Sequence, residues 1–123
     1  MYSVLRVTAK ENAQPGIRHM ADVFKRHLGN IYDGLDPSGD RFSCSVCDGP
    51  DWDQHERQIN IILNGVELFL AEISPSTVSC EIDVAVYYTE EVKQGIYVTF
   101  SVSPSLLTRI AANQISLVFT VYK

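Results

Sequence analysis

Apolar and polar residues alternate along five segments of the chain, which is the pattern of β-strands that bury one face. In the last segment, for example, Ile115, Leu117, Phe119 and Val121 occupy every second position. We therefore predict strands at residues 2–9, 41–47, 79–88, 95–102 and 115–122.

A spacing of three and four residues between apolar positions predicts two long helices. The first ends before Gly29, a residue that commonly follows the last helical turn. The second begins after Asp51, which together with Gln54 has the spacing of a capping box. The two apolar faces are formed by Ile17, Met20, Ala21, Phe24 and Leu28, and by Ile59, Ile62, Leu63, Val66, Phe69, Leu70 and Ile73.

The second helix contains Asn64 followed by Gly65, a dipeptide that is favoured in the turns of β-hairpins. A hairpin would require alternation on both sides, whereas the apolar residues 61–63 and 68–70 are contiguous. We therefore predict a helix, in which Gly65 costs about 1 kcal/mol relative to alanine. A third, shorter helix is predicted after Ser103, which can cap it, with Pro104 at its first position.

The predicted order of elements is β-α-β-α-β-β-α-β, with residues 30–40 as a loop. This order favours a single α+β domain, in which helices cover a mostly antiparallel sheet. A chain of 123 residues is long enough to bury such a core without disulfides or metal. We expect the core to include Val4, Phe24, Ile62, Phe69, Val84, Val86, Phe100, Leu107, Val118 and Phe119.

Three features of the sequence indicate a cytoplasmic protein. No run of about 18 apolar residues is present, so we expect no membrane span. The first ten residues alternate instead of following the basic-then-apolar order of a signal peptide. The odd number of cysteines, three, speaks against a disulfide framework and favours a reducing compartment.

Acidic residues are concentrated between positions 33 and 56. This segment holds seven acids and one base, Arg41, for a net charge of −6, whereas the rest carries nine bases and eight acids. Such a block attracts a basic partner and disfavours nucleic acid at the same surface, although a solvated loop region would have the same composition. The seven acids are Asp33, Asp36, Asp40, Asp48, Asp51, Asp53 and Glu56.

Trp52, the only tryptophan, lies inside this acidic segment. An aromatic ring among carboxylates is a composition used at protein interfaces, where the ring is buried and the charges steer association. Trp52 can equally pack beneath the start of the second helix. The candidate partner-binding residues are therefore Trp52 and the seven acids.

The residues that could carry catalysis or hold a metal form weaker patterns. Cys44 and Cys47 make a C-x-x-C motif, but a zinc site needs two further ligands at usable spacing. In a strand these two side chains would point to opposite faces, so we interpret them, like Cys80, as small buried residues. We predict neither a bound metal nor a disulfide inside the cell.

The three histidines, His19, His27 and His55, are not accompanied by a recognisable nucleophile or carboxylate, and we predict that they lie on the surface. Residues 33–40 contain several aspartates but lack the spacing of a calcium-binding EF-hand loop. The sequence therefore predicts no catalytic residue and no cofactor.

The last third of the chain resembles small bacterial immunity proteins of polymorphic and contact-dependent toxin systems. The resemblance is carried by residues 84–88, by the capped helix of residues 103–111 and by the strand of residues 115–122. It implies a cytosolic protein without enzymatic activity that neutralises one toxin by binding it directly. It implies no particular binding residue.

Two hypotheses for function follow. In the first, the protein inhibits a basic toxin domain, such as a nuclease, through its acidic surface. In the second, it is a small-ligand-binding or regulatory module that uses a cleft between sheet and helices. An enzyme is the third and least favoured interpretation.

Overall fold

A computed structural model describes residues 1–13, 16–87 and 100–122 of the chain. A single 3₁₀ turn, Pro75–Thr77, precedes the fourth strand. The strands are β1 (Tyr2–Ala9), β2 (Tyr32–Leu35), β3 (Arg41–Asp48), β4 (Val78–Tyr87) and β5 (Ile115–Tyr122), and the helices are α1 (Ile17–Leu28), α2 (Trp52–Glu72) and α3 (Pro104–Ala112).

The five strands form one sheet in the order β2-β3-β1-β4-β5. The β2–β3, β3–β1 and β1–β4 pairs are antiparallel, whereas β4 and β5 are parallel. A parallel pair needs a crossover connection, and α3 lies within the one that joins β4 to β5. The predicted α+β class, with a mostly antiparallel sheet and covering helices, is confirmed.

The helices pack against one face of this sheet. In β1, Ser3, Leu5 and Val7 are fully buried, whereas the residues between them are partly exposed. The buried apolar cluster takes side chains from the helices and from this face of the strands. The opposite face, called the open face below, consists of Tyr2, Val4, Arg6 and Thr8 of β1 and, by register, of Arg41, Ser43, Ser45 and Asp48 of β3, Glu81, Asp83, Ala85 and Tyr87 of β4, and Ser116, Val118, Thr120 and Tyr122 of β5.

Three phenylalanine rings form the centre of the core between sheet and helices. Phe24 of α1 meets Phe42 of β3 and Phe69 of α2 edge-on, with ring centroids 5.0 and 5.4 Å apart. Phe42 and Phe69 are 6.5 Å apart, again edge to face. All three side chains are fully buried, and this geometry adds to the stabilisation from burial alone.

Residues 52–72 form one continuous helix, so the helix prediction is confirmed and the hairpin alternative is wrong. Gly65 has a packing role in this helix. A Cβ atom at position 65 would lie 2.6 Å from the Leu28 side chain and 3.2 Å from the His27 carbonyl oxygen. The absence of a side chain therefore lets the end of α1 approach α2.

The prediction of a loop at residues 30–40 is wrong, because β2 occupies Tyr32–Leu35. This strand is short and is irregularly paired to β3 between Tyr32 and Gly34. Its hairpin closes at Asp36, whose N–H donates to the Arg41 carbonyl. Since β2 contains a glycine and an aspartate, its local sequence disfavours a strand, and pairing with β3 overrides that preference.

The predicted strand at residues 95–102 lies largely outside the described residues. Phe100, Ser101 and Val102 are described and have no regular secondary structure. Of the predicted core residues, Leu107 and Phe119 are wrong, since they are 47% and 39% exposed. Val4 and Val118 are also wrong, because they are partly buried on the open face and do not pack against the core. Val86 and Phe100 are partly buried against the core, and Phe24, Ile62, Phe69 and Val84 belong to it.

We predict that Gly65→Ala destabilises the protein, although the same change in an exposed helix would stabilise it by about 1 kcal/mol. Since Leu28 is buried, the new methyl group forces a shift of packed atoms that costs about 1–3 kcal/mol. Urea unfolding measures the change, with Leu68→Ala, at a 56% exposed position of the same helix, as the control. A Gly65→Ala protein more stable than the wild type would contradict this role.

Candidate functional site

The structure divides the acidic segment between the two ends of β3. Asp36 and Asp40 lie beside the β2–β3 turn, and Asp48 lies at the far end of β3. The eight residues of this strand place the two ends about 23 Å apart. The seven acids therefore do not form one continuous patch. That they bind a partner stays a prediction.

Three of these acids belong to the open face or its edge. Asp33 accepts a hydrogen bond from the Ser45 hydroxyl, at 2.6 Å. Asp36 pairs with Arg41 and accepts from the Ser43 hydroxyl, at 3.2 Å. Asp48 is directly opposite Tyr2 in the sheet, and directly opposite residues share a face.

The other acids near the start of α2 are partly engaged in holding that helix. Asp51 is its N-cap, and its side chain accepts from the Asp53 N–H at 3.1 Å. Glu56 accepts from the indole of Trp52 at 2.9 Å and from the backbone N–H of Ser103 at 3.2 Å. Glu56 thereby connects the start of α2 to the residue that caps α3.

Trp52 packs beneath the start of α2, which is the alternative to an exposed ring at a protein interface. Its side chain is only 5% exposed, and its ring lies 5.1 Å from Phe100 and 5.8 Å from Phe119. The indole N–H also donates to the carbonyl of Ser101, at 2.9 Å. The ring is therefore part of the fold and is not presented to solvent.

All three cysteines are buried, as predicted, and their thiols are free in this structure. The prediction that Cys44 and Cys47 face opposite ways is wrong. The β3–β1 register shifts between Ser3 and Val4, so that Cys44 pairs with Leu5 and Cys47 with Ser3. Since Ser3 and Leu5 share the helix-covered face, both cysteines lie on it too.

The prediction that His55 lies on the surface is wrong, because its side chain is fully buried. Its Nε2 lies 2.8 Å from the Gly49 carbonyl oxygen, to which it must donate. In the neutral ring, Nδ1 therefore accepts from the Ser3 hydroxyl, also at 2.8 Å. Serine and histidine form a pair here, but without access to solvent it serves to anchor β1 to α2.

The open face is organised around Arg6. Its guanidinium donates to Asp83 at 2.7 Å and to Glu81 at 3.4 Å. The hydroxyl of Thr120 donates to the second oxygen of Asp83 at 2.9 Å. The hydrogen bond that Arg6 donates to Asp83 raises the pKa of Arg6, as expected of an ion pair.

Next to this ion pair is a depression of about 240 Å³, called the tyrosine hollow below. Tyr87 and Tyr122 are about half exposed, and their ring centroids are 6.0 Å apart. Tyr2 is held in place by a hydrogen bond between its hydroxyl and Ser45, at 2.6 Å. The hollow is lined by Tyr2, Val4, Arg6, Asp83, Ala85, Tyr87 and Tyr122.

Carboxylates outnumber bases on the open face and its β2 edge. In the described part of the chain, five carboxylates stand against the two guanidinium groups of Arg6 and Arg41, a formal net charge of −3. Alternation in β1 and β4 already assigns Arg6, Glu81 and Asp83 to the face opposite the apolar residues. Which strands are neighbours could not be read from that alternation. The carboxylates are Asp33, Asp36, Asp48, Glu81 and Asp83.

Comparisons with protein-family models, with curated protein sequences and with solved structures find no match to this chain. Among the described residues, no group of three or more histidine, cysteine, aspartate or glutamate side chains is arranged to hold a metal ion. No helix within the described ranges is long and apolar enough to cross a membrane.

We predict that Trp52→Ala lowers the free energy of unfolding by about 3–5 kcal/mol, because it removes a buried ring and leaves a cavity. The exposed Leu107→Ala should change it by less than about 0.5 kcal/mol. Chemical denaturation of both variants measures the difference. Equal stabilities of the two variants would mean that Trp52 is not part of the core.

We predict that Cys44 and Cys80 resist alkylation in the native protein and react once it is unfolded. Burial raises the pKa of both thiols, that of Cys80 to about 12 from an ordinary value of 9.0. Between pH 9 and about 12, the Cys80 thiol is ionised in the unfolded protein but not in the folded one. The free energy of unfolding should therefore fall as the pH rises through this range. Mass spectrometry after iodoacetamide treatment measures the labelling, and rapid modification of native Cys44 would contradict the prediction.

Proposed function

We propose that this protein is a binding module without catalytic activity that holds a basic protein partner against the open face of its sheet. The observation that carries the proposal is a sheet face that the described helices leave uncovered and that combines tyrosines with an excess of carboxylates. Tyrosine is enriched at protein interfaces because its ring buries apolar area while its hydroxyl keeps a hydrogen bond.

The charges on this face support binding better than catalysis. The carboxylates of Asp83 and Asp36 are held by Arg6 and Arg41, so they form a preorganised surface. Preorganised groups lose little conformational entropy when a partner docks. The one close serine–histidine pair in the described residues, Ser3 with His55, is fully buried and has no room for a substrate.

The partner that fits such a face is basic. A negative face accelerates encounter with a positively charged protein and suppresses nucleic acid as a competitor. Toxin domains that act on nucleic acid carry basic surfaces, because they must bind phosphates. Neutralisation of such a toxin in the cytoplasm, as an immunity protein performs it, is therefore the function we propose.

The alternative of a small-ligand module gains no support from the space between the sheet and the helices. Phe24, Phe42 and Phe69 fill that space with rings in contact. A ligand in this position would have to displace packed core side chains, and interiors packed at this density rarely yield.

Coexpression with whichever toxin domain the neighbouring genes encode tests the proposal. The wild-type protein should protect the cells, and a double reversal on the open face and its edge, Asp33→Lys with Glu81→Lys, should abolish protection. Like charges placed against a basic partner cost several kcal/mol. Glu11→Lys with Asp22→Lys is the matched control, since both residues are exposed away from the open face.

The control carries the same change in net charge and should protect as well as the wild type. Measured association should be slower for the open-face variant and should depend less on salt. Protection by the open-face variant at the wild-type level, or failure of the wild type to protect, would overturn the proposal.

A further inference from the structure

The tyrosine hollow has the composition of a site for one positively charged side chain. Three tyrosine rings surround it, and aromatic faces attract cations. Arg6 and Asp83 belong to its lining, and Glu81, outside the lining, pairs with the same guanidinium at 3.4 Å, so that these three groups carry a formal charge of −1.

The size of the hollow agrees with a single side chain. Its volume of about 240 Å³ is below the range of ~300–1,000 Å³ in which drug-sized ligands and cofactors bind. Tyr87 and Tyr122 leave about half of their surface to solvent, so their rings are available for contact.

An anionic group is disfavoured at the same place although Arg6 lines the hollow. The Arg6 guanidinium already donates to Asp83 and Glu81, at 2.7 and 3.4 Å. An approaching carboxylate or phosphate would meet two carboxylates for one guanidinium, and like charges repel.

Arginine fits these surroundings better than lysine. Its planar guanidinium can stack on a tyrosine ring and at the same time donate several hydrogen bonds in a fixed fork. Asp83 keeps acceptor capacity beyond the bonds from Arg6 and Thr120, because an ionised carboxylate offers about four acceptor positions.

We propose that the tyrosine hollow binds an arginine side chain of the basic partner, with its guanidinium against the rings of Tyr87 and Tyr122 and its N–H groups directed to Asp83. This inference rests on the proposed function, and it names the chemical group through which the partner is anchored.

NMR titration of the full chain with N-acetyl-arginine methylamide tests the inference without the partner. The amides and rings around Tyr2, Tyr87 and Tyr122 should shift in a saturable manner. The neutral citrulline analogue of the same shape and N-acetyl-glutamate methylamide should give no saturable shift there. Equal shifts with citrulline, or stronger binding of the glutamate compound, would overturn the assignment.

Two variants with matched controls locate the site. Tyr122→Leu should weaken arginine binding about 2- to 30-fold, the range of a single cation–π contact. Phe119→Leu makes the same kind of change on the opposite face of the same strand and should leave binding unchanged. Glu81→Gln should weaken binding as well, whereas Asp40→Asn, an exposed acid in the β2–β3 turn, should not.

The outcomes separate this inference from the proposed function. Protection of cells without arginine binding would overturn the hollow as the anchor and leave the open-face proposal standing. Arginine binding that is lost in Tyr122→Leu, together with an absence of protection, would support the hollow and remove the toxin as its partner.

Discussion

The ion pair between Arg6 and Asp83 is the interaction on which the open face depends. Asp83 lies in β4, between β1 and the edge strand β5, and is only 8% exposed, so its charge would be costly without a partner. Arg6 of β1 supplies that partner, and Thr120 of β5 supplies a hydrogen bond. The pair therefore links three strands on a face that the described helices do not cover. This link keeps the tyrosine hollow in shape.

The same face depends on how β5 reaches its place beside β4. In the crossover, α3 runs parallel to α2, as its side-chain contacts indicate. Glu56 near the start of α2 accepts from Ser103 at the start of α3, and Arg109 in the last turn of α3 pairs with Glu67. Bonds from Arg109 lower the pKa of Glu67. The chain after α3 then enters the sheet as β5, parallel to β4. In this register Tyr122 lies opposite Tyr87 and completes the lining of the hollow.

Features that depend on local periodicity could be predicted from the sequence. Side chains that face the core recur with the period of the element, about 3.6 residues in a helix and two in a strand. The apolar positions of α1, α2, β1, β4 and β5 therefore indicate which side chains are buried. Capping by Asp51 and Ser103 is equally local, because each cap acts on N–H groups two or three residues away. The same periodicity predicts the helix at Gly65, although the reason for a glycine at this position, the approach of Leu28, is a tertiary contact.

Features that depend on pairing between distant segments could not be predicted in this way. The register shift in β3 places Cys47 on the same face as Cys44, and no local sequence pattern predicts this shift. His55 is buried because Ser3 and Gly49 satisfy both ring nitrogens, and these partners come from distant positions. The acidic segment was visible as a charge count, but the fold divides it and brings Glu81 and Asp83 to the candidate surface instead.

The central claim is that the partner docks on the open face, and footprinting of the complex tests it most directly. Hydroxyl-radical labelling of the protein alone and with its partner compares the reactivity of individual side chains. The account predicts that Tyr2, Tyr87 and Tyr122 become protected in the complex, while the exposed helix residues Ile61 and Leu68 keep their reactivity. Protection of Ile61 and Leu68 with unchanged labelling of the three tyrosines would contradict it.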